Sequence, residues 1–343
     1  MKGAVLKMNK TDRAELSPGQ GSVPQNAVAA AIEAEQKYVV KTVEPRMPKE
    51  TQVLVKVEGC GVCSSNLPVW EGREWFSYPL EPGAPGHEGW GVVHRCGSGV
   101  HTVSPGDRVT FLSSHAFSTF DTVEEQNLVV LPAKLHGLPF PGEPLGCAVN
   151  VFERAEIRSG QTVGVVGAGF LGTIVSRLCH LAGARVIALS RRPFALGLAQ
   201  QFGADHTVLM DDHYKAVEKV MSLTQNRGCD RVIEASGNQW FLDFASEITA
   251  LRSKLIIAGY HQDGLRTVNM QQWNWKGVDV INAHERENSQ YMKGIKTAVR
   301  LVAEGMIDFS PLLTHSFALE SINEAFDMMR KRPEGFMKAM VIL

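Results

Sequence analysis

"VGVVGAGFLG", residues 163–172, decides how this chain is read. An apolar strand runs into Gly167, Ala168, Gly169, Phe170, Leu171 and Gly172, and the apolar helical segment "TIVSRLCHLAG" follows. The three glycines have separate tasks in such a turn. The first permits a tight bend, the second lets backbone N–H groups approach a pyrophosphate, and the third lets the helix pack closely on the strand. The anion then rests on the positive end of the helix. A second strand, "RVIALS", ends about twenty residues further on, where the ribose of a nucleotide is read. Strand, glycine turn, helix and second strand in this order predict a dinucleotide-binding site.

The end of the second strand selects the cofactor. An Asp or Glu there would take both ribose hydroxyls of NAD and repel a 2′-phosphate. Here the strand ends in Ser190, with Arg191 and Arg192 directly after it. A hydroxyl and two planar guanidiniums suit a phosphate dianion through charge-assisted hydrogen bonds. NADP(H) is therefore expected; the competing reading is two arginines on a solvated loop.

Outward from the turn, apolar runs alternate with helix-like stretches: "TVGVVGA", "RVIALS", "HTVLM", "RVIEAS", "KLIIAGY" and "VDVINA". This is the pattern of an α/β, doubly wound parallel sheet, placed over residues 150–286. Upstream, roughly residues 53–132 hold short β-rich runs between Gly/Pro turns, the pattern of a compact barrel-like β domain. Downstream come an amphipathic helix, "SQYMKGIKTAVRLVAEG", and a closing strand, "FMKAMVIL". The two ends, residues 1–149 and 287–343, are thus expected to build one domain around the other, with about 1–27 as a polar, turn-rich extension.

With 343 residues the chain suits two domains, each able to bury a core without staples. A net charge of −1 gives no electrostatic reason to expect nucleic acid or an anionic membrane as partner. No apolar run approaches the roughly 18–20 residues of a membrane span, and the N-terminus lacks the continuous apolar region of a signal peptide. A cytoplasmic protein is expected, with six scattered cysteines held as thiols.

Outside the nucleotide region, "GVCSSNLPVW" (61–70) carries Cys63 two residues before Ser65, and "GHEGWGVV" places His87 and Glu88 between a Pro-Gly turn and a strand. Taken alone, Cys63 reads as one more small buried thiol. Together, thiolate, imidazole and carboxylate are the ligand types zinc accepts. Glu143 in "PGEPLGCAVNVF" is a fourth candidate, with Cys147 one helical turn on.

At this point the sequence resembles a medium-chain dehydrogenase/reductase of the zinc-dependent alcohol dehydrogenase type. The likeness runs from "VLVKVEGCGVC" through "PGHEGWGVV", "GDRV", "EPLGCAVNVF" and "VGVVGAGFLG" to "GFMKAMVIL". It implies a GroES-like β-barrel catalytic domain beside a Rossmann domain, and metal-assisted hydride transfer between NADP(H) and an alcohol or carbonyl substrate. By the resemblance Cys63, His87 and Glu88 fall on zinc-ligand positions, and Ser65 on the position that hands on the substrate proton. Counting back from Gly160, Glu143 falls where the sorbitol dehydrogenase-like branch has its glutamate, with Cys147 in reserve. Asn66 stands where the family usually has Asp, and Pro68 where some members have a proton-passing His. "GDRVTFLSSHAFSTF" continues without the four-cysteine lobe of many members, so one catalytic zinc and no structural zinc are expected. A polyol, sugar-like or secondary alcohol substrate and a homodimer or homotetramer are further expectations. The alternatives are a zinc-free quinone or enoyl reductase of the same superfamily, or a catalytically silent NADPH-binding protein.

Overall fold

The computed structural model describes residue 22 and residues 24–343. Most of the expected extension therefore lies outside the described residues, and its end at about 27 meets the first strand. β1 (Ala27–Ala34) and β2 (Lys37–Val43) form an antiparallel pair, joined to the rest by backbone bonds that include Ala30 N–H to Phe117 O and Thr119 N–H to Val28 O.

Then come β3 (Gln52–Gly61), a short helix α1 (Leu67–Trp70), β4 (Gly89–Cys96), β5 (Arg108–Phe111), β6 (Phe120–Glu124) and β7 (Leu128–Val130). They are followed by α2 (Gly142–Ala155), which runs unbroken across residue 150, where the sequence pattern changes.

Next, strands and helices alternate: β8 (Thr162–Val166), α3 (Phe170–Leu181), β9 (Arg185–Ser190), α4 (Pro193–Gln201), β10 (His206–Leu209) and α5 (His213–Leu223). The second half continues with β11 (Cys229–Glu234), α6 (Gln239–Ile248), β12 (Thr249–Ile257), α7 (Met270–Lys276) and β13 (Asp279–Asn282). All six strands pair in parallel in the order β10-β9-β8-β11-β12-β13. The order reverses between β8 and β11, which opens the ligand crevice beyond the carboxyl ends of those strands. Central strands such as β8 and β9 are buried on both faces, as a sheet covered by helices on either side requires.

The chain ends with α8 (Asn288–Ala303), β14 (His315–Ala318), α9 (Ile322–Lys331) and β15 (Ala339–Ile342). β14 and β15 join the earlier strands in a seven-stranded sheet ordered β14-β15-β3-β4-β5-β7, with β6 also on β3. Segments from both ends of the chain thus meet in one sheet, and β15 brings residues near 338 beside the end of β3. Helices α2 and α8 cross closely: a Cβ on Gly146 would lie 2.5 Å from Ile295 Cγ1. Among the described residues no helix is long and apolar enough to cross a membrane.

Candidate active site

The nucleotide turn has the shape its glycines predict. Gly167 sits at φ +107°, a left-handed conformation that favours glycine, and a Cβ there would lie 2.5 Å from Ser236 Oγ. A Cβ on Gly172 would lie 2.1 Å from Gly167 O, so the helix rests directly on the turn. Gly169, which caps α3, is different: nothing lies within 4 Å of the place its Cβ would take. That open space faces the N-terminus of a 12-residue helix, the place a pyrophosphate occupies in this fold.

At the end of β9, Ser190 is buried and its Oγ accepts from the Arg192 N–H at 3.1 Å. Arg192 is half-buried and its Nη1 donates to Phe336 O. Arg191 is exposed, with its guanidinium 5.3 Å from the Phe241 ring centroid. Of the two arginines, Arg191 is therefore the one whose donors are not committed to a backbone carbonyl.

The metal candidates come from three places. Cys63 lies two residues past the end of β3, His87 and Glu88 lead into β4, and Glu143 lies in the first turn of α2. Ligand atoms of Cys63, His87 and Glu88 all lie within 4.8 Å of one another. His87 Nδ1 lies 3.0 Å from Pro85 O; an N–H donated there leaves Nε2 as the ligating nitrogen. Burial alone pushes the His87 pKa down. The hydrogen bond and charge of Cys63, then the charges of Glu143 and Glu88, outweigh that and lift it to about 10. The neighbours of this imidazole thus favour a positive charge on it.

Glu88 is fully buried, and its Oε1 accepts from Lys338 Nζ at 2.6 Å. Its Oε2 is buried without a hydrogen-bond partner. An orphaned carboxylate oxygen beside a thiol and an oriented imidazole fits a zinc ion. Glu143 is not part of the compact group: its Oε1 accepts from Tyr291 OH and from Cys147 Sγ, the latter at 3.3 Å. Cys147 Sγ also lies 2.9 Å from Tyr291 OH. Burial, then the Glu143 charge, pushes the Cys147 thiol well up, and the same causes act on the Tyr291 phenol. Ser65 stands beside the metal group, its Oγ donating to Cys63 Sγ at 3.2 Å.

Two participants were not picked out from sequence. Lys338 supplies the buried counter-charge of Glu88 from 250 positions away, and its signal was a lone lysine inside the apolar "FMKAMVIL". Tyr291 binds Glu143 across the α2–α8 contact, where nothing in its own helix marks it. Asn66, in the family's Asp position, donates to the same Pro85 carbonyl at 3.2 Å. The orienting partner of His87 is therefore that backbone carbonyl. Of the aromatic residues near these motifs, Trp70, Trp90 and Phe117 are core, whereas Trp75 stays at the surface.

Two family models match the chain: alcohol dehydrogenase GroES-like domain over residues 49–152 and zinc-binding dehydrogenase over residues 171–303. The chain is similar to L-threonine 3-dehydrogenase of Bacillus velezensis, at 25% identity with 82% of this chain and 89% of the relative covered. It is also similar to sorbitol dehydrogenase of Bacillus subtilis, at 24% identity with 93% and 98% covered. A Sinorhizobium meliloti protein, described as a zinc-binding dehydrogenase and solved bound to NADP, superposes with a TM-score of 0.80. That match is 22% identical and covers 93% of this chain and 100% of that one. The chain belongs to the zinc-type medium-chain dehydrogenases, a family of oxidoreductases, and folds as a GroES-like domain with a Rossmann domain.

Proposed function

We propose that this protein is an alcohol dehydrogenase that holds one catalytic zinc and no structural zinc, prefers NADP(H), and acts on a polyol, sugar-like or secondary alcohol or the matching carbonyl. The observation that carries the reading is the convergence of Cys63, His87 and Glu88, with Glu88 Oε2 left buried and unpartnered. The open space at Gly169 supports a dinucleotide on the same chain.

Cys63, His87 and Glu88 would hold the zinc, with Glu143 near enough to act on His87 electrostatically. Zinc, when bound, supplies a Lewis acid that polarises the substrate oxygen. The Pro85 carbonyl fixes the imidazole, and Lys338 balances the Glu88 charge, so both ligands are held before substrate arrives. Ser65 takes the alcohol proton at Oγ in oxidation and returns it in reduction. Pro68 offers no proton acceptor beyond it, so the onward path runs through water. Gly167, Ala168, Gly169, Phe170, Leu171 and Gly172 form the pyrophosphate turn, and Ser190, Arg191 and Arg192 meet the 2′-phosphate.

The relatives named sorbitol and L-threonine 3-dehydrogenase act, by those names, on hydroxyl-bearing small molecules, which supports the substrate class. Two or four copies would join through the free edge of β13, where Val280 and the nearby Leu251 and Trp275 are exposed. The test is turnover on a panel of polyols, secondary alcohols and their carbonyls with NADP(H) and NAD(H), comparing wild type with Arg191→Ala. The reading expects turnover with a preference for NADP(H) that weakens in the variant. Cofactor binding without turnover on any substrate, or equal use of both cofactors, would overturn it.

A further inference from the structure

The loop after α9 brings a third arginine to the end of β9. Arg332 follows the helix directly, and the Arg192 guanidinium bonds the carbonyl of Phe336, four positions further along the same loop. The loop is therefore pinned against the residues that follow Ser190. From the other side, Arg332 Nη2 donates to Ser64 Oγ at 3.1 Å, and Ser64 adjoins Cys63 of the metal group. Its Nε donates to Met329 O at 3.2 Å, which fixes the direction of the side chain. Arg332 thus bonds the metal loop from a segment that Arg192 ties to the end of β9.

Its backbone conformation is unusual for an arginine. Arg332 occupies the left-handed C-cap position of α9 at φ +46°, with its N–H bonded to Met328 O. Glycine is the residue that fits this position best, so a side chain here carries a conformational cost. Desolvation in the cleft, then the positive charge of Arg191, hold the Arg332 guanidinium below its usual value. Arg192 is held down in the same way by burial and by Arg332, with Glu334 acting in the opposite direction. Crowded guanidiniums of one sign form a site that an anion would relieve.

We infer that Arg332, from the loop after α9, is a cofactor-specificity residue that binds the 2′-phosphate of NADP(H) together with Arg191 and Arg192. This rests on the NADP(H) reading above and extends it, because recognition of the phosphate then depends on both domains.

The test is the dissociation constant of NADPH and of NADH, by fluorescence titration, for wild type, Arg332→Gly and Arg332→Lys. Glycine suits the φ of this position, so the variant keeps its melting temperature or gains slightly, and lost binding cannot be assigned to misfolding. The expected result is NADPH binding weakened about 10- to 100-fold in Arg332→Gly, the loss of a charge-assisted hydrogen bond, with NADH within about twofold of wild type. Arg332→Lys falls between, because an ammonium keeps the charge without the fork. Equal losses for both cofactors would overturn the assignment by placing the guanidinium on a phosphate they share. No loss for either would overturn it outright. A wild type without NADPH preference would instead sink the NADP(H) reading itself, so the two failures are told apart.

Discussion

Replacing Lys338 with methionine removes a buried charge while keeping a long apolar stem. In the native protein Nζ lies 2.6 Å from Glu88 Oε1, with side-chain exposures of 5% and 0%. At an effective dielectric of about 20, unit charges at that separation attract by about 6 kcal/mol, and the hydration both groups give up cancels much of that gain. Breaking the pair from one side is different in kind. Glu88 would be left charged and buried, with Oε2 already unpartnered. Removing one partner of such a pair costs about 3–5 kcal/mol, and that is the expected loss for Lys338→Met. The 5.2 Å contact of Nζ with the Phe170 ring adds to the upper end of this range. The assay is urea unfolding, read as a lower midpoint at unchanged slope. The double variant Glu88→Gln/Lys338→Met carries no buried charge at this place and should recover about half of the loss or more. A single-variant loss under about 1 kcal/mol, or a double variant as weak as the single, would refute the reasoning.

The glycine turn separates folding from binding. Gly172→Ala must push a Cβ into Gly167 O, 2.1 Å away, and should lower the melting temperature. Gly169→Ala meets nothing within 4 Å, so its melting temperature should stay at the wild-type value while cofactor affinity falls about tenfold or more. A normal affinity in Gly169→Ala would mean that the dinucleotide does not lie over this turn. Asp121 gives a dependence on pH. Burial lifts its carboxyl above the ordinary range, against hydrogen bonds from Ser113 and the Thr122 N–H. The native state therefore keeps this proton to higher pH than the unfolded chain, whose aspartates titrate near about 3.9. Its contribution to stability is present below that value and is lost as pH rises through the raised native one. Asp121→Asn should therefore gain on wild type in unfolding free energy as pH rises above about 4, and a constant difference would contradict this.

What the sequence made legible is what local pattern encodes. The six apolar runs became β8 to β13: the central strands β8 and β9 are buried on both faces and so are apolar almost throughout, the edge strand β13 is largely exposed, and the spacing of Gly167, Gly169 and Gly172 is itself the geometry of the turn. That Cys63, His87 and Glu88 come together has a related local cause, since each lies within two residues of the end of β3 or the start of β4, strands that pair with each other. Lys338 and Tyr291 were not readable, because their meaning lies in contacts 250 and 148 positions away and their own segments show only a charged residue in a strand and a phenol on a helix. Glu143 shows the limit most clearly. Counting from Gly160 matched it to the glutamate of the sorbitol dehydrogenase-like branch, but the Tyr291 hydroxyl that binds its carboxylate comes from α8, across a helix contact that no spacing in the sequence describes.

The metal group is tested most directly by the zinc content, by mass spectrometry, of purified wild type and of Cys63→Ala. About one zinc per chain in the wild type, lost in the variant, is the predicted result. No zinc in the wild type after reconstitution, or zinc unchanged when Cys63 is removed, would contradict it and leave Cys63, His87 and Glu88 as a buried polar cluster with no metal to hold.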